Sequence, residues 1–286
     1  MFDIDQEKAK KITRGFQIPV KPQILAELQD EQAKPEPSPN AFAEVIAKDV
    51  ALSAYILKTI NSPIFGLNRS IVDIKQSVIM LGTDNITNIA SFFQLQNTFN
   101  GKSSISNEKY WDTAMETANM MAILLEQLNL KDNCPLEDAY AFGLFRDCGI
   151  PLMAMKYADY KEVLMEANAN PDSLFTDIEE NRYQTNHAVL GYFIASSWNL
   201  PKNLCELILR HHETDFLEAT DSDNLQKELF ALAKIACNAL SQFKFMTDDA
   251  EWFLAKESVL GHLGLSEPDY QDIEDDAKEL FRIKFS

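Results

Sequence analysis

The sequence predicts an all-α fold arranged as a helical bundle in two lobes. Apolar residues recur at steps of three and four. Leu225, Leu229, Leu232, Ala233, Ala236 and Leu240 share one helical face, and Ala118, Met121, Ala122, Leu125 and Leu128 share another. No convincing two-residue alternation persists over the length of a strand. Glycine is scarce, 9 in 286 residues, which argues against a fold built on tight turns or phosphate loops.

The helices can be placed in order from their punctuation. Pro22 leads a helix to Gln32, because proline suits a first helical turn. Lys34-Pro35-Glu36-Pro37-Ser38-Pro39 is a loop, since three prolines in six residues cannot continue a helix. Ser38 then caps a helix with Pro39 in its first turn. Asp49 caps the next, which runs to about Asn61. Ser70 and Asp73 have capping-box spacing and open another. Gly82 stops it, and Thr83 or Asp84 starts its successor. The polar stretch Lys102-Ser103-Ser104-Ile105-Ser106-Asn107 separates an N-terminal lobe, about 12–105, from a second lobe, about 106–245. A long helix over 107–130 opens that lobe. Further helices are expected near 135–147, 158–168, 185–198, 201–213, 224–243 and 268–284. Residues 246–286 read as a C-terminal extension packed on the second lobe. Seven acids and one lysine between Glu267 and Glu279 form the solvated face of the last helix, anchored by Ile273, Leu280, Phe281 and Ile283.

Charge narrows the function. Lys and Arg number 26 and Asp and Glu 44, a net charge of −18. Phosphate affinity rests on basic patches that release counterions, so nucleic acid and anionic membranes are poor partners. No apolar run reaches the roughly 18 residues of a membrane helix. Met1-Phe2-Asp3-Ile4-Asp5 lacks the basic start of a signal peptide. Cysteines 134, 148, 205 and 237 contain no C-x-x-C pair and read as reduced thiols of a cytoplasmic protein. Gly101-Lys102-Ser103 resembles the end of a phosphate loop, but Gln96 stands where its first glycine is required. His212-Glu213 lacks the second histidine of a metalloprotease helix.

Two groups of residues carry more information. The first is the helix from Asp49 to Asn61-Ser62-Pro63, followed by Ser77-Val78-Ile79-Met80-Leu81-Gly82. The second is Arg146-Asp147-Cys148-Gly149, Asn186-His187-Ala188-Val189-Leu190-Gly191, Trp198-Asn199-Leu200-Pro201 and His211-His212. Read alone, Asn61, Ser62 and Pro63 end a helix and order a turn, and the histidines are as readily packing residues as ligands. Together the two groups resemble the HDOD domain family, an HD-related output domain of bacterial signalling proteins. The likeness covers about residues 12–245, and Val50 replaces the proline usual in the opening signature.

The resemblance implies an HD-like core shared with metal-dependent phosphohydrolases. Active members hold metal with a first histidine, a His-Asp doublet, further histidines and a distal aspartate. Here Thr113 stands for the first histidine, Arg146-Asp147 for the doublet and Lys234 for the distal aspartate. His187, His211 and His212 match in type. Arg146 and Lys234 repel a divalent ion, so neither metal nor metal-dependent hydrolysis is expected. Asp147 is expected to pair with Lys234, or with Arg146 if that side chain turns inward. His211 and His212, adjacent on a helix, point about 100° apart, which places at least one outside a shared site. The favoured function is a non-catalytic signalling module acting through protein partners, without cofactor. One alternative is a phosphohydrolase or phosphodiesterase with a divalent metal on Asp147, His187 and His211 or His212. A second is an anion- or nucleotide-binding module that uses Arg146 and Lys234.

Overall fold

The computed structural model describes residues 15–67 and 69–285. Among these residues every regular element is a helix. Residues 12–14 of the expected first lobe lie outside the described residues. The chain divides into one unit of residues 19–100 and another built mainly from residues 101–284.

The first unit contains α1 (Gln23–Gln32), α2 (Pro39–Ile46), α3 (Val50–Ile60) and α4 (Ile74–Thr98). Its core is Leu25, Leu28, Phe42, Ile46, Ile56 and Phe92, each fully buried. The caps follow local chemistry. Ser38 accepts from the Ala41 amide, and Asp49 accepts from the Ala51 and Leu52 amides. Asp73 is itself the N-cap of α4, accepting from Gln76 N at 2.8 Å, so Ser70 lies before the helix and forms no capping box. Gly82 breaks the helical geometry of α4 with φ 80° and ψ 164°, a conformation open to glycine. Asn61 has a structural task. Its amide donates to the Leu57 and Ile71 carbonyls while its oxygen accepts from Ile71 N, each at 2.7 Å. Ser62 precedes a short 3-10 turn, Pro63–Phe65. The signature thereby ties the chain after Gly66 back to the end of α3.

The second unit runs α5 (Asn107–Gln127), α6 (Leu136–Phe145), α7 (Ile150–Lys156), α8 (Tyr160–Ala169), α9 (Phe175–Tyr183), α10 (His187–Ser197), α11 (Lys202–Arg210), α12 (Asn224–Phe245), α13 (Trp252–Leu263) and α14 (Glu267–Phe285). Helix α5 packs on α6 and α12, and α10 packs on α11. Trp111 and Trp198 are buried. Helices α7, α9 and α13 were not expected. The first is buried along most of its length and carries Pro151 in its first turn. The second is too polar to show an apolar stripe. In α14 the buried residues are Tyr270, Glu274, Ala277 and Phe281, whereas Leu280 and Ile283 face solvent. The acidic face therefore contributes Glu274 to the interior, where it accepts from Tyr270 and Asn238.

Two glycines permit close backbone approach. A Cβ on Gly143 would sit 2.5 Å from Ala118 Cα, and a Cβ on Gly149 would sit 2.0 Å from the His187 carbonyl oxygen. The second contact brings the loop holding Asp147 against the start of α10. Gly149→Ala must push these segments apart. It should destabilise the chain by about 1–3 kcal/mol, read as a lower urea midpoint with unchanged slope.

Candidate functional site

Asp147 lies in the turn between α6 and α7, His187 opens α10, and His211 and His212 follow α11. One potential ligand atom from each of these four residues lies within 4.8 Å of all the others. Helix α11 ends at Arg210, and His211 is its C-cap. His211 keeps right-handed helical dihedrals, φ −68° and ψ −6°, yet both rings turn inward, contrary to expectation. Their centroids are 3.9 Å apart.

Each ring is fixed by an acceptor behind it. His187 Nδ1 faces Glu179 Oε2 at 2.6 Å, His211 Nδ1 faces the Ile208 carbonyl at 2.7 Å, and His212 Nδ1 faces Glu251 Oε1 at 2.7 Å. An oxygen acceptor at that distance requires N–H on all three Nδ1 atoms. The three Nε2 atoms then point inward. His187 Nε2 and His212 Nε2 are 2.9 Å apart, and His211 Nε2 lies 3.2 Å from Asp147 Oδ1. Two facing lone pairs repel, so these contacts call for protons or a cation between them.

The partners behind the rings are themselves satisfied. Glu179 is fully buried, accepts from the Tyr160 hydroxyl at 2.5 Å and also accepts from the His187 amide at 3.0 Å. Glu251 accepts from Lys234 Nζ at 2.7 Å and from the Phe175 amide at 3.0 Å. The Phe175 ring lies 4.6 Å from the His187 ring. Neither glutamate was singled out from sequence. Glu179 is one acid in the polar α9, and Glu251 immediately precedes α13, so both belong to unpredicted elements.

The cation assignment is corrected. Lys234 pairs with Glu251, not with Asp147. Arg146 pairs with Asp147, its Nη2 2.6 Å from Oδ2, leaving Oδ1 to the histidines. Thr113 stays outside the cluster, where its hydroxyl donates to the Lys109 carbonyl. It lines a cavity of about 480 Å³ that reaches the cluster only at Asp147. A second cavity of about 410 Å³ shares Thr113 and includes Arg146, and Lys234 lines neither.

Charge states follow from these contacts. Burial opposes ionisation of Asp147, but the Arg146 guanidinium beside it holds its pKa well below the ordinary carboxylate range. Burial opposes a charged His187, yet Glu179 and Asp147 overcome that and raise its pKa to about 9. Burial lowers the pKa of His211, and lowers that of His212 further, against the pull of Asp147 and Glu251 respectively. At neutral pH the His187 proton therefore bridges to His212. His211 Nε2 is left against a charged carboxylate oxygen.

The donor set fits one metal ion. Three Nε2 atoms and one carboxylate oxygen converge, and every Nδ1–H is anchored in the way that orients a ligating histidine. A bound ion would supply the positive charge that these facing lone pairs call for.

The family model described as HDOD domain matches residues 18–214. A crystal structure of an HDOD domain protein from Geobacter sulfurreducens, with unknown function, superposes with a TM-score of 0.68 at 21% identity, covering 97% of both chains. A Shewanella amazonensis SB2B structure titled as a phosphohydrolase, its function assigned provisionally, gives a TM-score of 0.66 at 18% identity, covering 96% of this chain and 93% of that one. These likenesses establish the fold. An uncharacterized protein of Treponema pallidum (strain Nichols) is 27% identical over 203 residues, and the match spans 68% of this chain but 37% of that protein.

The raised pKa of His187 sets a pH dependence. A proton held more tightly in the fold stabilises it below the unfolded value of 6.5, and that stability is lost as pH rises through about 9. Metal-free protein should show a falling urea midpoint across this window, and the fall should be much reduced in His187→Gln.

Proposed function

The chain belongs to the HDOD domain family, and from that premise we propose that it is a non-catalytic regulatory module of signal transduction, with a single-ion site that braces the fold. The observation that carries this reading is the seat of Arg146. Its guanidinium occupies the outer oxygen of Asp147, where the resemblance places a His-Asp doublet. The remaining set supplies four protein ligands to one ion, enough to close the shell of a tetrahedral ion such as zinc. Hydrolysis needs an open position for water or substrate beside the metal. His187, His211 and His212 are buried, and Asp147, at 19% side-chain exposure, is the member that reaches a cavity.

A bound divalent ion would supply cross-linking between the α6–α7 turn, α10 and the end of α11. A tetrahedral ion so held would have no open position from which to supply a nucleophile. Output through protein contact is supported by exposed apolar side chains. Phe243 packs against Phe281, joining α12 to α14, and Phe245, Met246 and Ile283 near that contact are 70%, 89% and 70% exposed. Exposed apolar side chains gathered in this way mark a surface for protein contact.

Elemental mass spectrometry tests the ion site on protein purified without chelator and offered manganese, iron, nickel and zinc. One ion per chain is expected, lost in His187→Ala, together with no turnover of bis-p-nitrophenyl phosphate in any loaded form. Metal-dependent turnover abolished by His187→Ala would replace this reading with the hydrolase. Arg146→Ala removes a positive charge beside the site. It should tighten metal binding by at least about tenfold, ~1.4 kcal/mol, measured by competition with a chelator.

A further inference from the structure

The cavity next to the cluster has a character opposite to that of the chain as a whole. The sequence carries 44 acids against 26 bases, yet Asp147 is the one carboxylate among the residues lining this cavity of about 480 Å³. That charge is already offset by Arg146 at 2.6 Å. Lys109 and Lys161 also line the cavity, and neither ammonium forms an ion pair with the described residues. They come from different helices, α5 and α8, so the fold and not local sequence brings them to one wall. The rest of that wall is largely apolar, with Tyr110, Ile150 and Leu164 among its members.

Two uncompensated cations beside an apolar wall suit a ligand with a negative head and a hydrophobic body. Arg146 and Lys234 do not fill this role, because Arg146 is bound to Asp147 and Lys234 to Glu251. We propose that this cavity binds a small organic anion, its phosphate or carboxylate head held by Lys109 and Lys161 and its body packed on Tyr110, Ile150 and Leu164. The site gives the module an input that adjoins the proposed ion cluster at a single residue. Its wall includes Asp147 itself, so an occupant touches the residue that joins Arg146 to the histidines.

Isothermal titration calorimetry of the full chain with phenyl phosphate, benzoate and inorganic phosphate tests the site. Phenyl phosphate or benzoate should bind, and more tightly than inorganic phosphate, which has no body to bury. Preference for phenyl phosphate identifies a phosphate ester, and preference for benzoate a carboxylate. Lys109→Ala with Lys161→Ala should weaken binding at least about tenfold, and Lys109→Arg with Lys161→Arg should retain it. Both lysines are exposed, so circular dichroism should show the fold intact in each pair. No heat from either aromatic anion at millimolar concentration, or equal affinity in the double-alanine variant, overturns the proposal. Release of phenol would overturn the non-catalytic reading while leaving the binding site in place.

Discussion

Three buried imidazoles that meet a half-buried carboxylate at one point impose a strict hydrogen-bond account on everything around them. Each ring has two nitrogens, and if one faces the centre the other must find an acceptor where water cannot serve. The fold answers with Glu179, the Ile208 carbonyl and Glu251. Two of those acceptors are charged and need partners in turn. Tyr160 and the His187 amide satisfy Glu179, and Lys234 and the Phe175 amide satisfy Glu251. A demand that begins at four side chains thus sets the placement of α8, α9, α12 and the turn before α13.

The same account explains why the cations did not land where the sequence suggested. Arg146 and Lys234 both pointed to Asp147 as the acid in need of neutralisation. The reading lacked Glu251, a second buried acid that competes for Lys234 and takes it at 2.7 Å. With Lys234 removed, Asp147 pairs with its own neighbour. The prediction that the cluster repels metal then loses half its basis, since Lys234 acts behind His212 and not at the centre.

Legibility tracked the range of the interaction. Helix starts at Ser38, Asp49 and Asn107 were readable because caps and prolines act within a few residues. The helical class was readable from periodicity. Gly149 was legible only as part of the Arg146-Asp147-Cys148-Gly149 group, and the structure shows its cause in the contact with the His187 carbonyl. Helix α9 was not readable, because it buries a glutamate to serve a histidine and its polar pattern resembles a loop. The inward turn of both His211 and His212 was hidden for a related reason. It depends on the acceptors behind the rings, and that of His212, Glu251, is distant in sequence. The anchoring of α14 by Glu274 required Asn238, distant in sequence, as well as Tyr270 one turn earlier, to make burial of an acid tolerable.

These dependencies bear on what a histidine cluster means in a protein of this fold. Removing His187 would leave Glu179, wholly buried, with a carboxylate facing a void. Breaking such a pair typically costs about 3–5 kcal/mol, a large share of the stability of a domain. Removing His212 would similarly expose the charge balance of Glu251 and Lys234. The fold therefore requires these rings whether or not any reaction takes place at them. Arg146 has no such obligation toward the rings, since it touches the outer oxygen of Asp147. A histidine cluster in this setting is therefore evidence for packing before it is evidence for hydrolysis.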